Sequence, residues 1–141
     1  MKLFIMLIIM FLTGCAPSIK STLMPNVKLT DYKSAYIQSI PNDEFNLQSK
    51  IMTQLSKMGL QVIDKPKPDL PINTDMLVNY SFHGDWDFGY YLQAFQIRFL
   101  DAKTSAVLGI IDFDRHGNFG YEPDERISDA FNDFKHVMGM K

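Results

Sequence analysis

Three stretches between residues 76 and 113 alternate apolar with polar side chains, and a period of two leaves room for little but a sheet. In the first, Met76, Val78, Tyr80 and Phe82 alternate with Leu77, Asn79, Ser81 and His83, and the stretch runs on to Trp86. In the second, over 91–100, Tyr91, Phe95, Ile97 and Phe99 alternate with Leu92, Gln96 and Arg98. A third strand is expected over 106–113. Asp87-Phe88-Gly89-Tyr90 and Asp101-Ala102-Lys103-Thr104-Ser105 are turn sequences, so the segment predicts an antiparallel meander. A meander leaves an apolar face open, and something must cover it.

Two helices supply the cover. Leu47, Ile51, Leu55 and Met58 recur at helical spacing, behind a capping and acidic Asn42-Asp43-Glu44 and ahead of Gly59. Pro123-Asp124-Glu125 opens a second helix whose apolar stripe is Ile127, Ala130, Phe131, Phe134 and Val137 or Met138. Residues 34–40, closed by Pro41, and 60–63 read as short strands. Prolines at 66, 68 and 71 keep 64–71 out of any sheet. The order β-α-β-β-β-β-α predicts an α+β fold with a single mixed, mainly antiparallel sheet and two helices packed on one face. Its first two strands are joined by a helix and should be parallel. With 141 residues and 46% hydrophobic content the chain supports a single α/β domain, placed at 32–141. Fourteen basic residues against 16 acidic ones give a net charge of −2 and no electrostatic reason to expect nucleic acid.

The N-terminus has a different character. Lys2 precedes an unbroken apolar run from Leu3 to Leu12 and then small residues before Cys15, the order of a secretory signal. A helix made of that run measures about 15 Å, half the ~30 Å hydrocarbon core, so it does not span a bilayer. Leu12-Thr13-Gly14-Cys15 resembles the lipobox of bacterial lipoproteins, which implies a signal peptide over 1–14 and acylation of Cys15. It is the only cysteine, and one thiol forms no intrachain disulfide. By the same resemblance, Ala16 in place of an aspartate implies the outer membrane, with the domain on the periplasmic side. Pro17, Ser18, Ser21, Thr22, Pro25 and Asn26 show no period, so 15–31 is expected to be the lipidated cysteine and a flexible tether.

The lipobox, a strand, a helix ending in Met58-Gly59-Leu60, the strand Gln61-Val62-Ile63, a proline-rich loop and the run from Phe99 to Leu108 form a recognisable series. Together they resemble the small bacterial lipoproteins related to curli-type secretion lipoproteins and penicillin-binding-protein activators. The resemblance covers residues 32–138 and is most local at Asp101-Ala102-Lys103-Thr104, where Ser105 stands in the place of a usual glycine. It implies a domain without catalytic residues or cofactors that binds another envelope protein, forms a homo-oligomer or activates a partner. The long amphipathic insertions with which curli-type lipoproteins build a pore are lacking, so no channel is expected.

Helices on one side cannot bury both faces of the long strands. Trp86, Phe88, Tyr90, Tyr91 and Tyr121 are therefore expected to form an exposed aromatic patch, the kind of surface that meets a partner. The alternative is a small-ligand or metal site built from the 83–87 and 112–122 loops. His83, Asp85 and Asp87 would share one strand face, and with Asp112, Asp114 and His116 they offer imidazole and carboxylate ligands suited to zinc or manganese. Asp112, Asp114, His116 and Gly117 also fall at positions 1, 3, 5 and 6 of a calcium loop, but its twelfth position is Pro123 rather than a bidentate carboxylate. Solvated polar residues between a strand and a helix explain the same pattern. No nucleophile elbow or phosphate loop is present, and the chain is read as a non-enzyme.

Overall fold

A computed structural model describes residues 18–63, 73–117 and 122–140. Cys15, Tyr121 and the loop at 64–71 lie outside the described residues. The strands are β1 (Ser18–Leu23), β2 (Ser34–Ile37), β3 (Gln61–Ile63), β4 (Met76–Trp86), β5 (Tyr90–Asp101) and β6 (Val107–Asp114), and the helices are α1 (Leu47–Lys57) and α2 (Pro123–Val137). They form one six-stranded mixed sheet in the order β1-β6-β5-β4-β2-β3. β4, β5 and β6 make the antiparallel meander, whereas β2 runs parallel to both β3 and β4. The fold is α+β with both helices on one face.

Register decides which residues that face receives. Val78 lies opposite Phe99, Tyr80 opposite Ile97 and Phe82 opposite Phe95, and on the other side of β5 Ile97 meets Ile111 and Phe95 meets Phe113. All but the half-buried Phe82 are buried, against Leu47, Ile51 and Leu55 of α1 and Ile127, Ala130, Phe131 and Phe134 of α2. Phe99 stacks on Phe134 with centroids 4.8 Å apart and meets Phe131 edge-on at 6.3 Å. A side chain at Gly109 would come within 2.9 Å of the Phe134 ring and 3.1 Å of the Thr22 carbonyl, so this strand position is glycine for reasons of space.

Three expectations are corrected. Residues 18–23 belong to no tether: they form an edge strand antiparallel to β6, from Ser18 opposite Asp114 to Leu23 opposite Gly109. Ile19 and Leu23 pack against the core while Ser18, Lys20 and Thr22 face outward. Ser21 occupies the remaining inward position, which breaks the apolar alternation. A 3-10 turn at Leu29–Asp31 then buries Leu29, so the chain is folded from Ser18 onward. Secondly, α1 begins at Leu47, not at 42–44, because Asn46 adopts a left-handed conformation (φ 53°). Asp43 still caps it from a distance: its carboxylate accepts the Leu47 and Gln48 amides, both at 2.8 Å, and the Tyr80 hydroxyl at 2.9 Å. Burial and that bond push the Tyr80 phenol well above its ordinary pKa. Thirdly, β2 ends at Ile37 rather than at residue 40.

Two aspartates at the opposite end of the sheet from the β4–β5 turn hold strand junctions. Asp101 accepts the Lys103 amide at 2.9 Å, the Thr104 amide at 2.8 Å and the Tyr32 hydroxyl at 3.0 Å, closing the Asp-Ala-Lys-Thr turn. Ser105 completes that turn with φ 59°, the left-handed conformation that favours glycine. Asp75 accepts the Lys33 and Ser34 amides at 2.9 and 3.0 Å and so ties β4 to β2. The backbone bond from Thr104 leads in holding Asp101 below the usual carboxylate range, and that from Lys33 does so for Asp75.

Ser105→Gly is expected to stabilise the domain by about 0.5–1 kcal/mol, read by denaturant titration, because it removes the cost of a left-handed non-glycine. A carboxyl whose folded pKa lies below its unfolded value of about 3.9 contributes stability above that value. The contribution is lost as pH falls toward the folded pKa. The Asp75→Asn/Asp101→Asn chain should therefore lose less stability than the wild type on acidification below about pH 5, and parallel acid limbs would refute the assignment.

Candidate functional site

The β4–β5 hairpin ends in a cluster of exposed aromatic side chains. Trp86 lies opposite Tyr90, and the Asp87 amide donates to the Gly89 carbonyl at 3.1 Å across the turn that carries Phe88. Trp86 is 72% exposed, Phe88 87% and Tyr90 47%. Their base is built from below. Tyr90 stacks on Phe45 at 5.2 Å, Phe45 meets Phe82 edge-on at 5.4 Å, and the Tyr90 ring crosses Gly84 where any side chain would collide with it. A hydrogen bond to Glu44 raises the Tyr90 phenol pKa. Trp86, Phe88 and Tyr90 are thus brought together as the sequence suggests.

Tyr91 is not part of this patch. It is only 7% exposed, its hydroxyl accepts the Gly117 amide at 3.1 Å, and the Arg126 guanidinium lies 5.6 Å above its ring. The extra residue Gln93, left between the pairs His83/Ala94 and Gly84/Leu92, takes Tyr91 out of the phase of Phe95 to Phe99, and it is Gly117 and Arg126 that cover it from the other side. The Arg115 amide donates to the Gln93 carbonyl, and loop 115–117 closes over this end.

Arg126 is the residue that sequence reading misses. It has 0% exposure in the first turns of α2 and donates to the carbonyls of Arg115 at 3.2 Å and Gly117 at 2.9 Å. Burial first, then the charge of Arg115, pulls its pKa below that of an ordinary arginine. A signal exists in the sequence, since Arg126 precedes Ala130 and Phe134 by four and eight residues and so flanks the apolar stripe.

The sheet face away from the helices is polar and open. In register across it run Lys20, Asp112, Gln96 and Ser81. Gln96 donates to Asp112 at 2.6 Å and Arg98 donates to Gln96 at 2.7 Å, which makes a bonded row across β6 and β5. A hollow of about 460 Å³ lies between Ser18, Lys20, His83, Gln96, Asp112 and Asp114. Three of the candidate metal ligands, His83, Asp112 and Asp114, line it. Ala94 of β5 separates His83 from Asp114, which places β4 and β6 roughly 10 Å from each other. Asp112 is bonded to Gln96, His116 lies 3.1 Å from Gln93 and 4.0 Å from Asp114, and Asp85 accepts the Trp86 amide. Among the described residues no three His, Cys, Asp or Glu side chains gather as a metal needs, so the metal alternative of His83, Asp85, Asp112, Asp114 and His116 finds no support there. The calcium-loop reading fails for a related reason: Asp112 and Asp114 are extended strand residues paired with Lys20 and Ser18.

No family model matches the chain, and no curated protein matches it in sequence. Among solved structures it is similar to a PDZ domain protein from Parabacteroides distasonis, with TM-score 0.59 and 17% identity over 89% of this chain and 37% of that one. It is also similar to PelC from Paraburkholderia phytofirmans, a dodecamer, with TM-score 0.56 and 14% identity over 89% of this chain and 99% of that one. A DUF4136 family protein from Bacteroides thetaiotaomicron gives TM-score 0.59 and 9% identity over 87% and 96%. The chain thus spans about a third of the first and nearly all of the other two. At these identities the likeness shows the fold.

Core and tip should respond differently to truncation. Arg126→Ala is expected to cost about 2–5 kcal/mol, by leaving a cavity and freeing loop 115–117. Phe88→Ala, at a side chain that is 87% exposed, should cost clearly less. Equal losses in chemical denaturation would refute this division.

Proposed function

We propose that the chain is an outer-membrane lipoprotein, anchored through Cys15, whose periplasmic domain is a non-enzymatic binding or assembly module for the cell envelope. The observation that carries this reading is where the fold begins. β1 starts at Ser18, three residues after the cysteine of the lipobox-like sequence, so an acyl anchor there holds the sheet directly at the membrane. Confinement to that layer raises the effective concentration for any partner in the same membrane. The uncovered face supplies a broad polar surface, with the Asp112–Gln96–Arg98 row at its centre.

The partner is another envelope protein or further copies of the chain. Self-assembly is favoured by the likeness to PelC, which is a dodecamer and which this chain matches over 99% of its length. The resemblance to the curli-type and penicillin-binding-protein-activator group supports the same class of role.

Two measurements test the reading. Metabolic acyl labelling should mark the wild type in the outer-membrane fraction and fail in Cys15→Ser. A photo-crosslinking residue in place of Gln96 should trap a discrete adduct in intact envelopes, at a multiple of the chain mass for self-assembly and at another defined mass for a different protein. An acylated chain that gives no adduct from this face would sink the binding role.

A further inference from the structure

The exposed tip at Trp86, Phe88 and Tyr90 and Ser18 of β1 lie at the same end of the sheet. Register across the sheet places them there. Ser18 is opposite Asp114, Asp114 is opposite Ala94, and Ala94 is opposite His83. From Ala94 the hairpin continues through Tyr90 and Trp86, so its tip projects about 13 Å beyond the level of Ser18. Cys15 is three residues from Ser18, and whatever path they take those residues reach at most about 11 Å. A bilayer holding lipid on Cys15 therefore passes within a strand's length of the aromatic tip. The Asp75 and Asp101 junctions lie at the other end of the sheet.

We infer that the hairpin tip is a second membrane contact, with Trp86, Phe88 and Tyr90 seated in the headgroup region of the bilayer that holds Cys15; the inference rests on the acylation of Cys15 proposed above. The chemistry of the tip suits that site. Tryptophan and tyrosine combine a large apolar body with a polar edge, and they concentrate where membrane meets water. The stacking of Tyr90 on Phe45 and of Phe45 against Phe82 keeps the tip extended instead of letting it fold onto the domain. Among the described residues the other large apolar side chains that stand exposed, Val107 and Val137, form no such group. An acyl anchor alone leaves the domain free to swivel. A second contact beside it fixes which surface faces the periplasm, and the open sheet face is then presented edge-on to the membrane rather than against it.

Trp86 is the only tryptophan in the chain, so its fluorescence reports on the tip alone. The acylated full chain would be reconstituted into phosphatidylethanolamine-rich vesicles, with little anionic lipid because Asp85 and Asp87 flank the tip. Emission would be recorded with lipids brominated at shallow acyl positions and with aqueous iodide. Docking predicts quenching by the bromolipid and protection from iodide. Phe88→Ser should lower the docked-to-undocked ratio roughly tenfold, since a buried phenylalanine side chain is worth at least one decade in an equilibrium. An acylated chain whose Trp86 stays open to iodide and untouched by bromolipid overturns the inference and leaves the anchor standing. Protection from iodide without bromolipid quenching overturns it in favour of a protein covering the tip. A mass spectrum without acyl chains on Cys15 removes the anchor reading and this inference together.

Discussion

The ring of Phe134 rests on the bare backbone of Gly109 with Phe99 stacked on its other side, and this contact sets how closely α2 approaches the sheet. A methyl group at residue 109 would lift the helix, and with it Ile127, Ala130 and Phe131, off β5 and β6. Dispersion forces fall steeply with such gaps, so the loss would spread along the whole interface. The same close approach gives β1 its reason to exist. Once α2 lies low over β6, the neighbouring edge needs an inward-facing cover, and Ile19 and Leu23 provide it. At its N-terminal end α2 is held by Arg126, whose guanidinium pins the carbonyls of loop 115–117.

Wherever side chains alternate without interruption, the sequence was readable. β4 runs from Met76 to Trp86 as its pattern predicts, β5 and β6 each fall within one residue of the expected bounds, and α2 begins at the predicted Pro123. β1 was hidden because Ser21 takes a core-facing place and prolines at 17 and 25 flank the segment, so only two apolar residues mark six positions of pairing. Tyr91 was misplaced because what covers it, Gly117 and Arg126, comes from chain far beyond β5, which the strand alone cannot reveal. The metal candidates come from two stretches of chain, 83–87 and 112–116, and β5 lies between the strands that carry them. Arg126 was passed over because charged residues are seldom fully buried.

The two surfaces left exposed differ in physical kind. The open sheet face is wide and polar, and its central side chains already bond to one another across the strands, so a partner meets an organised array. The hairpin tip is small and apolar, and it is propped by rings below it and by the Asp87–Gly89 bond across its turn. One surface suits recognition and the other suits partition between phases. The bulge near His83/Gly84 marks the boundary between them, since it ends the regular alternation of the face and starts the separate packing of the tip.

β1 also determines how the domain meets mechanical force. A load on Cys15 enters at Ser18 and acts along the axis of a strand whose six residues are paired antiparallel with β6. Pulled along that axis, the ladder is sheared, and its hydrogen bonds share the load instead of opening one after another as they do when a strand is peeled from its end. Failure under such a load is set by the rate of unfolding and not by equilibrium stability. With the acyl anchor proposed at Cys15, this edge strand would be the element that carries tension between the membrane and the domain.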